Sequence, residues 1–400
     1  MNFKESFTAH RKLIVIISAS VAVLSAAFIV TGVLLNSREG PKSASDSESS
    51  SVSEEASEVF NDASGVEISD NGNSDIPEES DEDSSDEGSE SGIFHGWVKN
   101  VYGYTYVYGD TGYLQFNYRA TASDRYIRSL NVFASSVPTG TRLFNMVVPV
   151  SSTFADIPRE VYSGDEFYNL SQSRFVANVT AGLDERYVNI DVISAIEELY
   201  DCGEYVFFRT DGNWTSEGAY AAYRQFCSAT GMNSYSSESF PKIKYEGFLG
   251  SFYTATGSLD MADNPDTIVC YAPIPAFSAD VTVYDSGQVY SGLNPGRTNV
   301  SGYGVFLGKS GADRYEITST AEGGRLLIIG DSSSYPIALM LACNYSEVDI
   351  VDPQKYGSTF EEYIRYHEYD DILTMSYSVN CVNGDYMPAF IKFIGADSNE

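Results

Sequence analysis

Gly330-Asp331-Ser332-Ser333-Ser334 follows the apolar run RLLII (325–329) and opens the stretch SYPIALMLACN (334–344). That order reads as a strand, a tight turn and a helix, with Ser332 at the helix start. Backbone N–H groups at such a start point toward incoming negative charge, the setting that a nucleophilic hydroxyl and its oxyanion site both require. A Gly-Asp-Ser turn that only caps a helix uses the same letters. The triplet alone is common by chance, and its strand–turn–helix setting gives it weight. A second junction, RTDGNWTSEGAY (209–220), follows EYVFF (204–208), which reads as another strand. Arg209 reads as an ion-pair partner for a loop acid such as Asp211, and Glu217 as a first-turn acid favoured by the helix dipole. Trp214 reads as a buried aromatic that fixes the loop or as a stacking face for a sugar ring, and its bulk favours the first.

FFRTDGNWTSEGAYAAY (207–223) and LLIIGDSSSYPIALMLACNYSEVDIVD (326–352) resemble the DHHW family and, more distantly, the alginate O-acetyltransferase-like branch of the SGNH hydrolases. Those proteins carry Y-R-T-D-x-H-W-T-x-x-G-A-Y followed far downstream by a strand ending in Asp-Ser. VVPVSSTFADIP (147–158) and GFLGSFYTATG (247–257) resemble two further family blocks in the same order, so the resemblance spans about residues 98–395. It implies a three-layer α/β/α sandwich of the flavodoxin-like kind, with a mainly parallel sheet, at an envelope surface. Active relatives use an Asp–His–Ser triad to move acyl groups on or off glycans. By this resemblance Ser332 matches the nucleophile and Asp211 the acid that orients the base, while Arg209, Trp214 and Gly330 become candidates on the substrate side. Gly212 and Asn213 occupy the two His-His positions, and Asn213 stands where the catalytic histidine would be.

That replacement matters chemically. A serine hydroxyl needs a neighbour with a pKa near 7 to take its proton, and an amide does not titrate. A triad without one member retains at most about 10³–10⁴ over water, from the oxyanion site and binding. Three histidines could be considered as substitutes: His10, His95 and His367. His10 precedes the apolar run described below, His95 reads as a surface residue, and His367 in FEEYIRYHEYDD reads as lying on a solvated helix face. The D-x-x-H motif of other SGNH enzymes is absent there, since Ile364 precedes His367 by three. Direct action of Asp211 on Ser332 is a further reading, because burial tunes a carboxylate upward.

The elements that must position these residues are legible in outline. VKNVYGYTYVYGDTGYLQFNY (98–118) alternates aromatic and polar residues around Gly-Asp-Thr-Gly and predicts a hairpin. Tyr126, Leu130, Phe133 and Val137 recur at helical spacing up to Pro138. Near-continuous apolar strands at 143–150, 325–330, 348–352 and 372–377, interleaved with helices, predict a parallel sheet covered on both faces. In such sheets sites form at the carboxyl ends of strands. Residues 231–324 break the pattern and read as an insertion.

Charge divides the chain. The net of −32 is spread as +3 over residues 1–38, −17 over 39–92 and −18 over the rest, a balance that repels phosphate backbones and excludes nucleic acid as a partner. Residues 13–35 form 23 consecutive uncharged positions, which as a helix span about 35 Å against a hydrocarbon core of about 30 Å. Arg11 and Lys12 on their N-terminal flank predict a single-pass protein: residues 1–12 cytoplasmic, 13–35 in the membrane and the remainder extracytoplasmic. Ser, Asp and Glu dominate 36–92, a composition that reads as a disordered linker, and 93–400 as the extracytoplasmic SGNH-like domain. Five cysteines leave one unpaired whatever the others do, a Cys202–Cys227 bridge being one pairing open to an exported domain. No Cys-x-x-Cys or Cys/His cluster points to a metal, and no cofactor is expected. The expected function is cell-envelope glycan modification or biogenesis with a degenerate Ser-hydrolase or O-acyltransferase site, and an envelope polysaccharide is the expected partner. A non-catalytic glycan-binding scaffold, and an active esterase or O-acetyltransferase with an unrecognised base, are the alternatives.

Overall fold

The computed structural model describes residues 95–396, except 101–102, 117, 156–171, 297–300 and 383–384. The expected cytoplasmic tail, membrane span and acidic linker lie outside the described residues, as does His10. Among the described residues no helix is long and apolar enough to cross a membrane. The strands are β1 (His95–Asn100), β2 (Gly103–Tyr108), β3 (Thr111–Leu114), β4 (Arg142–Val148), β5 (Tyr187–Ile190), β6 (Lys242–Phe248), β7 (Asp266–Tyr271), β8 (Ala279–Asp285), β9 (Gln288–Leu293), β10 (Arg314–Ser319), β11 (Arg325–Gly330), β12 (Glu347–Val351) and β13 (Asp371–Tyr377). The helices are α1 (Ala120–Ser136), α2 (Gln172–Gly182), α3 (Ile193–Asp201), α4 (Ser216–Thr230), α5 (Ser251–Thr256), α6 (Leu259–Asp263), α7 (Ser334–Leu341), α8 (Phe360–Ile364), α9 (Ser378–Val382) and α10 (Tyr386–Phe393).

An eight-stranded sheet in the order β5-β4-β13-β11-β12-β10-β8-β9 organises the molecule. Its first five strands are mutually parallel, and β10, β8 and β9 continue it antiparallel. The central parallel strands are buried nearly throughout, β13 along its whole length. The antiparallel extension comes from within 231–324. That segment therefore supplies three strands of the main sheet as well as the separate β6–β7 pair. The half-buried alternation of β8, apolar in and polar out, is the pattern of an antiparallel strand with one covered face.

The opening aromatic stretch forms a three-stranded antiparallel sheet, β1-β2-β3. A two-residue turn, Gly109-Asp110, joins β2 to β3, with Gly109 at φ 59°, where a Cβ would be disfavoured. α1 buries Tyr126, Leu130, Phe133 and Ala134 and stops before Pro138, whose ring pushes Val137 into extended backbone. EYVFF is not a strand. Residues 206–215 instead fold back on themselves, with Phe208 N–H donating to Asn213 O at 3.2 Å and Thr215 N–H to Val206 O at 3.0 Å. All five cysteines are free thiols, so no Cys202–Cys227 bridge forms.

Candidate active site

Two loops meet at the carboxyl ends of the central strands. The first leaves β11 as Gly330-Asp331-Ser332-Ser333 and enters α7. Asp331 is its anchor: it accepts from Ser333 N–H at 3.0 Å, Tyr377 N–H at 2.9 Å and Asn380 Nδ2 at 2.7 Å. Complete burial raises the Asp331 carboxyl above the usual range, and these donors oppose that shift. Gly330 is buried in the strand, and a Cβ there would lie 2.2 Å from Met375 O. Close packing against β13 therefore explains this glycine, which offers no side of itself to a substrate.

The second loop is 206–215. Thr215 caps α4 by accepting from Gly218 N–H, and Gly218 is required because a Cβ would sit 2.7 Å from Val206 O. Asp211 is buried and accepts from Asn213 N–H at 2.9 Å and from Ser251 N–H at 2.7 Å. Its Oδ1 also takes the Asn213 amide Nδ2–H. Gly250 allows this approach, since a Cβ there would lie 2.3 Å from Asp211 Cβ.

Trp214 ties the loops together. Its indole N–H donates to Ser333 O at 3.0 Å, its backbone N–H donates to Tyr377 Oη at 2.9 Å, and its side chain has no exposure. A fully enclosed indole has no face left for a sugar ring, so the loop-fixing reading holds. Arg209 does not pair with Asp211. It bonds Asp110 at 2.6 Å and Asp266 at 3.1 Å, binding the β2–β3 turn to β7. Thr210 N–H and Oγ1 hold the other oxygen of Asp266 at 2.8 and 2.7 Å, so Arg209 is committed to a structural network.

Ser332, Asn213 and Asp211 then fall in one line. Ser332 Oγ–H donates to Asn213 Oδ1 at 3.1 Å, and the same amide passes its Nδ2–H to Asp211. A neutral imidazole between these partners would accept from the serine through one nitrogen and donate to the carboxylate through the other. The amide reproduces that donor–acceptor order without a titratable atom. Among the described residues no acid or imidazole hydrogen-bonds Ser332 Oγ, and Asp211 stands behind Asn213 rather than at the serine. Tyr377, which no sequence motif singled out, donates to Asn213 Oδ1 at 3.1 Å from the end of β13. Its place at a strand's carboxyl end was the available signal.

His367 cannot serve Ser332. It lies beyond α8, stacked on Tyr363 at 4.7 Å between ring centroids and 4.0 Å from Asp349 Oδ2. Asp349 pairs in register with Leu327, three residues and about 10 Å before the end of β11, whereas Ser332 lies beyond that end. It is also not on a solvated helix face, its side chain being 24% exposed. His95 opens β1, and its side chain lies outside the described set.

The DHHW protein family model matches residues 42–351, most of the chain, and that match decides the affiliation. This chain belongs to the DHHW family. The match begins inside the acidic segment expected to be a linker. Three solved structures share the fold. A DHHW family protein from Eubacterium siraeum is 21% identical with a TM-score of 0.60, covering 74% of this chain and 97% of its own. Bacillus cereus PatB1 is 16% identical with a TM-score of 0.59, covering 75% and 100%. PatB1 with a sulfonyl adduct is 15% identical with a TM-score of 0.53, covering 70% and 95%. No curated protein matches the chain. Within its family this DHHW protein departs at the two residues that give the family its name, Gly212 and Asn213.

Proposed function

We propose that this DHHW protein acts in cell-envelope glycan modification or biogenesis by engaging acyl-bearing sugars at Ser332, with acyl-transfer chemistry attenuated by loss of the base. The observation that carries this reading is the bond from Ser332 Oγ to Asn213 Oδ1, at 3.1 Å in the seat of an imidazole. An acceptor that cannot hold a proton leaves the hydroxyl positioned and unactivated. Family membership and the fold shared with PatB1 support the acyl-transfer framework. Ser332 is the group we assign to the nucleophile's role here. Ser332 N–H, which has no hydrogen-bond partner among the described residues, is the donor we assign to an acyl oxyanion. Residues 13–35 would anchor the protein with residues 1–12 in the cytosol, and 36–92 would hold the domain off the membrane.

The test uses residues 86–400, one compact unit, on an activated acetyl ester and on immobilised envelope polysaccharide. The wild-type chain should show background hydrolysis with retained polysaccharide binding, and Asn213→His should create turnover that Ser332→Ala abolishes. Wild-type turnover that vanishes in Ser332→Ala would overturn the reading in favour of a working enzyme. For the topology, the full chain should sediment with membranes while the folded domain stays open to protease added outside intact cells.

A further inference from the structure

Glu347 and Asp349 stand at alternate positions in the first half of β12, away from the carboxyl strand ends where Ser332 lies, and His367 reaches them from beyond α8. One oxygen of each carboxylate and one imidazole nitrogen lie within 4.8 Å of one another. The three residues are separated by 2 and 18 positions, so no short-spacing motif could reveal them.

Each ligand atom is backed by a partner on its other side. Asp349 Oδ2 accepts from the Tyr363 hydroxyl at 2.6 Å and from the Tyr369 hydroxyl. Its Oδ1 is buried, with no hydrogen-bond partner, on a side chain with no exposure. Glu347 gives Oε1 to Arg325. His367 is fixed by stacking on Tyr363 with an interplanar angle of 11°. These partners orient the three side chains, and with Oδ2 taken by two hydroxyls it is Oδ1 of Asp349 that keeps its lone pairs free. An unmet buried carboxylate oxygen is costly. Three carboxylates, those of Glu316, Glu347 and Asp349, face two guanidiniums, those of Arg314 and Arg325, leaving one negative charge in excess. His367 also lines a cavity of about 420 Å³ with Glu368 and Tyr369.

We infer that Glu347, Asp349 and His367 form a binding site for a first-row divalent cation of the Zn²⁺ type, clamping the chain after α8 onto β12. One imidazole and two carboxylates suit Zn²⁺, whereas Mg²⁺ and Ca²⁺ select all-oxygen sets. The site stands apart from the Ser332 junction and does not depend on the function proposed there.

The test uses the full chain, untagged, stripped of metal and titrated with Zn²⁺, with Co²⁺ as an absorbance probe. One equivalent should bind, raise the unfolding temperature and give Co²⁺ ligand-field bands that Zn²⁺ removes. His367→Ala and Glu347→Gln should each weaken binding by about 10–100-fold, with Mg²⁺ and Ca²⁺ failing to compete. His367→Gln, which keeps the bulk against Tyr363, guards against loss of folding, and circular dichroism checks each variant. No saturable binding below about 1 mM would overturn the proposal and leave Arg314 as the group that neutralises Asp349. Binding unchanged in all three variants would overturn it equally.

Discussion

Replacing Asn213 by histidine should restore a base, and the structure says how much of it Ser332 would receive. Asn213 Oδ1 accepts from two hydroxyls, Ser332 Oγ and Tyr377 Oη, each at 3.1 Å. A carbonyl oxygen has two lone pairs for them, whereas an imidazole donating Nδ1–H to Asp211 offers one, on Nε2. The hydroxyls must then compete. Equal bonds leave the serine about half of the base's time, and a tyrosine bond stronger by about 1 kcal/mol leaves it about a fifth or less. General-base assistance is worth about 10²–10⁴-fold, so Asn213→His should raise ester hydrolysis by about 20- to 5000-fold. Adding Tyr377→Phe should bring a further gain of about 2- to 5-fold by freeing the lone pair. The second change has its own cost, because Trp214 N–H donates to Tyr377 Oη at 2.9 Å and would be left buried and unpaired, losing about 1–3 kcal/mol of stability. Initial rates on an activated acetyl ester, well below the unfolding transition and with Ser332→Ala in each background as the blank, measure both steps. Folded variants with no serine-dependent turnover, or a double variant no faster than Asn213→His, would refute the reasoning.

Asp211→Ala should destabilise the wild-type chain by about 3 kcal/mol, since it strands Asn213 N–H and Ser251 N–H together; a urea-midpoint change below about 1 kcal/mol would show that this carboxylate is not structural. Arg209→Met leaves Asp266 buried without its guanidinium and should cost about 3 kcal/mol, while polysaccharide retention stays unchanged in the folded fraction; lowered retention would return Arg209 to the substrate side. Burial pushes Asp352 up to about 7, above the roughly 4 of an unfolded aspartate, so its contribution is present below about pH 4 and lost as the pH rises through about 7. Asp352→Asn, which keeps an acceptor for Gln354 N–H, should therefore gain on the wild type in denaturant midpoint above pH 7, and an equal difference at acid and alkaline pH would reject this sign.

The strands that hold the site were legible because their burial is two-sided and their sequences uninterrupted, as in RLLIIG and DILTMSY. EYVFF has the same letters and a different fate. Phe207 stacks on Phe154 and Phe208 packs edge-on against Phe248, so these apolar side chains seal a loop. A run of four or five apolar residues does not separate a buried loop from a strand. Arg209 does not follow the local pairing that its loop suggests, because its partners Asp110 and Asp266 lie 99 and 57 positions away. Tyr377 escaped notice for a related reason: a tyrosine closing an apolar strand looks like core until the loops above it are placed.

The persistence of triad geometry around an amide follows from what else those bonds do. Asp211 closes its own loop and caps the start of α5, and Trp214 bridges to Ser333 while its N–H meets Tyr377. Asp331 fastens the serine turn to β13 and α9. Every one of these contacts stabilises the junction whether or not a proton is transferred across it. A side chain that keeps the hydrogen-bond order, accepting from Ser332 and donating to Asp211 as Asn213 does, leaves this architecture intact without supplying a titratable atom. A side chain that broke the order would strand buried donors on two loops at once. On the proposed reading, these contacts would hold the Ser332 junction in shape whether or not it carries out acyl transfer.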